Sequence, residues 1–185
     1  MKTLVTRRLV LDDPRLSDAE DFYDYARSPL VGPYAGWAAH RSVNESERTL
    51  RALIRSGEVW SVRLRDDYKM IGTIGLHKDC YRNLEKGLSY ELGFSLSSEY
   101  HGMGIMPEAA SAVLEYAFEI LGAKIVSVSH FDFNHKSKRV IEKLGFTLEG
   151  TLRAARERLD TGELADVMVY SMLADEYFGM KKNTN

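Results

Sequence analysis

Hydrophobic residues recur along this chain at two distinct periods. Between residues 89 and 96 they alternate: Tyr90, Leu92, Phe94 and Leu96 fall on one side, Glu91, Gly93 and Ser95 on the other. That is the period-two pattern of a strand with one apolar face. From Pro107 to about Leu121 the period lengthens to that of a helix. Ala110, Leu114 and Phe118 form one stripe with Val113, Ala117 and Leu121 beside it, while Glu108, Ser111, Glu115 and Glu119 make the polar face. Pro107 in the first turn and Gly122 just past the end are the expected start and stop signals.

The same reading orders the rest of the chain. Residues 3–11 read as a first strand. Ser17 to Glu20 reads as a capping box opening a helix whose Ala19, Phe22, Tyr23 and Ala26 share a face, ending before Pro29. Residues 28–40 are irregular and rich in Gly, Pro and aromatics. Ser42 to Glu45 is a second capping box; Leu50, Leu53 and Ile54 face the core of its helix, and Gly57 stops it. Residues 60–64 and 70–76 read as a hairpin, followed by a polar loop over 78–87. After the long helix come a strand over 124–131, a short helix over 134–144 closed by Gly145, and closing strands over 146–153 and 165–173. The tail from Met180 is polar and expected to be loose. The pattern predicts a mixed, strongly twisted α/β (α+β) sheet of about seven strands flanked by helices, in a single domain over residues 1–185.

Composition narrows the function classes. A net charge of −2, with no basic run standing out except Lys181 and Lys182, argues against nucleic-acid binding. One cysteine, Cys80, forms no internal disulfide, so nothing requires an oxidising compartment. No apolar stretch reaches signal-peptide or transmembrane length, which makes the cytoplasm the default expectation. His40, His77, His130 and His135 have no metal-ligand spacing, and no metal is expected.

Chemistry concentrates where the 89–96 strand meets the long helix. A strand feeding a glycine turn that opens a helix aims free backbone N–H groups, and the positive helix end, at one point. Such a corner is an anion site and phosphate its usual occupant; the alternative is an ordinary connecting turn. Gly102 and Gly104 let the main chain approach a ligand with no side chain between. Two common phosphate loops are excluded. A dinucleotide fingerprint needs a third glycine where Pro107 stands, and the Gly-Lys-Ser/Thr of a P-loop is absent.

The run His101, Gly102, Met103, Gly104, Ile105 and Met106, followed by Glu108 and Ala109, resembles the acetyl-CoA pyrophosphate loop of the GNAT acetyltransferases, Gln/Arg-x-x-Gly-x-Gly/Ala. A second block runs from Asn134 through Ser137 to Leu144, Gly145 and Phe146, then Glu149 and Gly150. It is similar to the Asn-x-x-Ser…Leu-Gly-Phe…Glu-Gly signature of the ribosomal-protein-alanine acetyltransferase (RimJ/RimL) branch. The opening Thr6 to Leu11 and the late Asp166 to Tyr170 fit that branch too. The resemblance implies the GNAT fold, with acetyl-CoA as co-substrate, an amine acceptor such as a protein N-terminus or a small amine, and no nucleic-acid or membrane partner; a homodimer is compatible with it.

Acetyl transfer to an amine requires that the amine lose a proton, the thioester carbonyl be polarised and the departing thiolate be stabilised. Glu91, on the polar face of the strand, is the candidate base; the competing reading is a structural carboxylate paired with a basic neighbour. The fold implied by the resemblance supplies a backbone N–H near Leu96 for the carbonyl, with Phe94 alongside. The tyrosine that many family members carry four residues before the Gly-Phe is Ile141 here, and Ser137 is the implied proton donor to sulfur. Its other reading is a helix-start residue. Asn134 either caps that helix or holds the pantetheine arm. His101 stands where the family has Gln or Arg, which predicts weaker diphosphate binding. Tyr34 and Trp37 wall the acceptor site if the family pattern holds, or else pack as satellite core. A polyamine site would be lined with several carboxylates; Asp12, Asp13, Asp18, Glu20, Asp21 and Asp24 cluster in sequence but read as a solvated face. Cys80 reads as incidental rather than nucleophilic.

Overall fold

The chain opens on two short strands, β1 (Leu4–Val5) and β2 (Leu9–Asp12), and continues through α1 (Ala19–Ala26), α2 (Gly32–Ala35) and α3 (Val43–Ser56). Then come β3 (Val59–Leu64), β4 (Met70–Lys78), β5 (Ser89–Leu96), α4 (Ile105–Glu115), β6 (Ile125–Phe131) and α5 (His135–Lys143). β7 (Thr147–Glu157), β8 (Leu164–Leu173) and α6 (Ala174–Lys182) complete it. This computed structural model describes residues 1–85 and 87–182; Lys86, in the expected polar loop, and the last residues of the expected tail lie outside them.

The strands form one eight-stranded sheet in the order β1-β2-β3-β4-β5-β6-β8-β7. Every neighbouring pair is antiparallel except β5 and β6. The eighth strand arises because the expected 3–11 strand folds back on itself. The Thr6 amide donates to Leu9 O at 2.9 Å and the Leu9 amide to Thr6 Oγ1 at 3.0 Å, so that Leu4 faces Leu11.

Two layers of helix cover the sheet, and the alternation of β3 shows how. Trp60 and Val62 enter the main core with Leu9, Leu11, Ile74 and Leu92, against Ala110, Val113 and Leu114 of α4 and Phe118 just beyond its end. Ser61 and Arg63 point the other way and meet Asp18 at the start of α1. There Phe22, Tyr25, Leu50 and Met70 form a second, smaller core beneath α1 and α3. The expected stripe of α4 is buried, but Leu121 is not: it lies beyond a π-helical turn (Tyr116–Ile120) that rotates the last residues outward.

Three local expectations are corrected. The box at Ser17 and Glu20 does not form; Asp18 instead accepts the Arg15 amide at 2.7 Å, because its carboxylate is held by buried Arg63. At Ser42 only half of the box forms: Ser42 Oγ accepts from the Glu45 amide at 3.3 Å, but the Glu45 carboxylate accepts from the Arg41 amide at 2.7 Å rather than from that of Ser42, and Ile54 on that helix is exposed. The tail from Met180 is helical through Lys182, tied by Lys181 Nζ to Glu119 at 2.5 Å.

One irregularity in the sheet opens the site. β5 and β6 pair only from Ser89 opposite Ile125 to Leu92 opposite Val128. Past that point both strands continue, β5 holding to β4 and β6 to β8, and a wedge opens between them.

Candidate active site

Two cavities meet in this wedge. The first, about 500 Å³, runs from Phe94 and Leu96 along the turn after β5 to the first turns of α4 and α5. The second, about 370 Å³, lies on the Glu91 side of β5. They share Tyr34, Ala35, Phe94, Asn134 and Ser137, which stand at the junction.

The turn that floors the first cavity is built for close approach. Gly102 and Gly104 take φ of +80° and +72°, a region that penalises any Cβ. The helix starts at Ile105 with Gly104 as its N-cap, two residues earlier than Pro107 predicts. Pro107 is thus a third-position residue, where a missing N–H costs nothing because first-turn amides have no intrahelical acceptor. The first amide to close a helical bond is that of Glu108, onto Gly104 O at 3.2 Å. Among the described residues, the amides of Gly102, Met103 and Gly104 donate to nothing in the protein. A row of unused donors at a helix start is an anion cradle. Of the expected loop residues, Met103 does not line the cavity: its side chain is 57 % exposed, and its carbonyl accepts from Arg8 Nη1 at 2.9 Å.

Arg8 belongs to a brace that sequence reasoning passes over. Glu108 accepts from Thr6 Oγ1 at 2.6 Å, from the Arg8 amide at 2.9 Å and from Arg8 Nε at 2.7 Å. Burial alone would raise the Glu108 pKa, but those donors outweigh it and hold the carboxyl below its usual range. The β1–β2 turn therefore fixes the start of α4 and the cradle ahead of it.

His101 brings a titratable ring rather than a permanent charge. Its ring bridges Leu96 O, 3.1 Å from Nε2, and Lys136 Nζ, 3.1 Å from Nδ1. Burial first, then the neighbouring ammonium, push its pKa down, so the ring is neutral: Nε2–H donates and Nδ1 accepts. The positive charge comes from α5, where Lys136, Arg139 and Lys143 all line the first cavity. Their spacing of three and four places them on one helix face. That stripe was readable in the sequence, directly after the Asn134 motif, and corrects the impression that no basic cluster stands out.

The hydrogen bond from the Ser97 amide to Ile71 O, at 2.8 Å, fixes the alternation at the end of β5. Odd-numbered amides face β4, so those of Phe94 and Leu96 are directed into the wedge. Asn134 is the N-cap of α5, accepting from the Ser137 amide at 3.1 Å. Its Nδ2 donates to Tyr34 O and to Ser137 Oγ, both at 2.9 Å. The Asn134 side chain is thus largely engaged with protein, with one Oδ1 lone pair to spare. Ser137 is relieved of capping, and because its oxygen already accepts, its O–H is left to donate.

Glu91 faces the second cavity, half-buried. Oε1 accepts from Ser129 Oγ and Oε2 from Cys80 Sγ, each at 3.3 Å. Burial and the Glu91 carboxylate both raise the Cys80 pKa, which disfavours the thiolate and hence a nucleophilic role. Tyr34 stands at the junction, its ring 5.4 Å from that of Phe133. Trp37 is not brought there: it packs with Phe22 and His40 beside the smaller core. The early acidic cluster is also elsewhere, with Asp12 and Asp18 paired to buried Arg63 at 2.6 and 2.8 Å. Among the described residues no His, Cys, Asp and Glu side chains converge as a metal site requires, and no helix is long and apolar enough to cross a membrane.

Comparison with known proteins agrees with this geometry. Residues 8–147 match the model of the acetyltransferase (GNAT) domain family. The uncharacterized N-acetyltransferase YoaA of Bacillus subtilis is 30 % identical over 175 residues, covering 92 % of this chain and 96 % of that protein. The putative ribosomal N-acetyltransferase YdaF of the same organism is 34 % identical over 117 residues, 62 % of this chain and 60 % of that one. A GNAT-family acetyltransferase structure from Bacillus anthracis superposes with a TM-score of 0.82 at 22 % identity, covering 95 % of this chain and all of that one. The family match over most of the chain, on a mixed sheet wedged open beside this strand–cradle–helix corner, places the chain in the GNAT acetyltransferase family.

Proposed function

We propose that the protein moves the acetyl group of acetyl-CoA to a primary amine by direct attack within a ternary complex. The observation that carries this reading is the meeting of two unlike cavities at Phe94, Asn134 and Ser137. One is floored by unpaired amides and walled by Lys136, Arg139 and Lys143, a donor set suited to the phosphates of coenzyme A. The other presents a carboxylate, Glu91.

In this reading Glu91 takes the amine proton through water, and the Leu96 amide steadies the oxygen that gains charge as nitrogen attacks the thioester carbon. As the carbon–sulfur bond breaks, the Ser137 hydroxyl donates to the departing sulfur. Similarity to YdaF and the Asn134–Ser137 block favour a protein N-terminal amine as acceptor. The single free cysteine fits a reducing, cytoplasmic setting.

The test is release of CoA thiol from acetyl-CoA against ribosomal-protein N-terminal peptides, polyamines and aminoglycosides, with calorimetry of acetyl-CoA binding alongside. Turnover with at least one amine is expected. Tight acetyl-CoA binding with no thiol released by any amine would make the protein a binding module and end the enzymatic reading.

A further inference from the structure

The second cavity holds a charge that acetyl transfer to a simple amine does not use. Arg156 lines it, as Glu91 does. Among the described residues Arg156 makes no hydrogen bond and no ion pair, whereas Arg158 two residues on is paired with Asp160 at 2.8 Å, and Arg82 with Asp79 at 3.2 Å. Arg156 is exposed at the cavity mouth, a cation with its donors unspent.

It reaches that place through an irregularity in β7. Leu152 stands opposite Val167, yet Arg156 stands opposite Ala165, so β7 spends four residues where β8 spends two. The bulge is held by Ala154 at φ +49°, a conformation unfavourable for alanine, with its amide donating to Asp166 Oδ1 at 2.7 Å. In an unbulged strand Ala154 would face Ala165, and Arg156 would lie two residues, about 7 Å, further along. Bulges that re-aim a side chain, and backbone strain, both concentrate beside functional sites.

The other polar groups of the cavity leave Arg156 unanswered. His130 is engaged at both nitrogens, with Phe131 O at 2.6 Å and Tyr170 Oη at 3.3 Å, and His77 is turned toward Glu58 at 3.1 Å. Glu91 is the sole carboxylate among the described lining residues. A polycation needs several carboxylates and no arginine; this cavity has one of each.

We infer that the acceptor carries an acidic group near its reacting nitrogen, bound by Arg156 while the amine faces Glu91. This rests on the acetyltransferase reading above. The chemistry is that of a dipolar amine, supplied by a free amino acid or by a peptide whose second residue is acidic.

The experiment measures CoA release at saturating acetyl-CoA for C-terminally amidated peptides of the form Ala-Asp-x, Ala-Asn-x and Ala-Lys-x, with free amino acids as a second arm. The Asp peptide should show a KM about tenfold below that of its Asn partner at similar kcat, the scale of a charge-assisted contact. Arg156→Ala should erase that ratio, and Arg156→Glu should shift preference to the Lys peptide, a gain that misfolding cannot mimic. Arg153→Ala, on the same strand but outside both cavities, should leave the ratio unchanged. Preference confined to peptides assigns the acid to a side chain, and acetylation of free amino acids that depends on Arg156 assigns it to the α-carboxylate; both support the inference. Equal kcat/KM for Asp and Asn peptides with no Arg156-dependent amino acid turnover, or an Asp preference that survives Arg156→Ala, would overturn it alone. No thiol release from any amine would overturn the acetyltransferase reading and this inference with it.

Discussion

At the scale of single residues, the proposed mechanism gives Glu91 the role of base. Glu91→Gln keeps the shape and an acceptor for Ser129 while removing the charge. kcat should fall about a hundredfold with acetyl-CoA affinity unchanged, as for loss of a general base; a full rate would remove Glu91 from the mechanism. The same substitution has a second readout. The Cys80 pKa is held up by burial and by Glu91, so neutralising that carboxylate lets it fall and increases the thiolate fraction at neutral pH. Iodoacetamide should label Cys80 slowly in the native enzyme and faster in Glu91→Gln, by mass spectrometry over a time course; equal rates would mean that the two side chains are not in contact. Strand alternation was enough to place Glu91 on its face, because that signal is local. The Cys80–Glu91 contact was not legible, because it joins a loop to a strand eleven residues on.

At the scale of elements, the cradle depends on a turn made a hundred residues earlier in the chain. Glu108→Gln should leave secondary structure intact but lower the melting temperature and weaken acetyl-CoA binding, because the β1–β2 turn no longer clamps the start of α4. A lost charge-assisted hydrogen bond of this kind costs about 1–3 kcal/mol. The folded pKa of Glu108 lies below its unfolded value, so its contribution is complete above the ordinary carboxylate pKa and vanishes as pH falls through the depressed one. The melting deficit of Glu108→Gln should therefore be largest near neutrality and shrink toward pH 3; a deficit constant with pH would show that charge is not what the brace uses. Helical and strand periodicities made α4, α5 and β5 readable, and the basic stripe of α5 was there to be read as well. The bulge in β7 was not, since Arg153, Ala154, Ala155 and Arg156 contain no glycine or proline to mark a break. Nor was the turn between β1 and β2, hidden inside what looks like one polar-interrupted strand.

For the whole molecule, the histidines set a pH response. His40, His101 and His130 all have lowered pKa values, each chiefly through burial. The unfolded chain therefore takes up protons before the native one, and stability is full above the unfolded histidine pKa of about 6.5 and declines below it. Melting temperature should drop steadily between pH 7.5 and 5.5, and His40→Gln combined with His130→Gln should flatten the slope; a level profile in the unsubstituted protein would contradict the assignment. The α/β sheet and its flanking helices were legible from patterning, but the wedge was not, since it depends on which strands stop pairing and where. Strand order carries one more consequence. β8, the last strand made, is laid between β6 and β7. A nascent polypeptide stalled just short of Leu164 would present two naked hydrogen-bonding edges, the kind of surface on which chains stick to one another. Premature termination late in this gene would then yield aggregates rather than a slightly shortened enzyme.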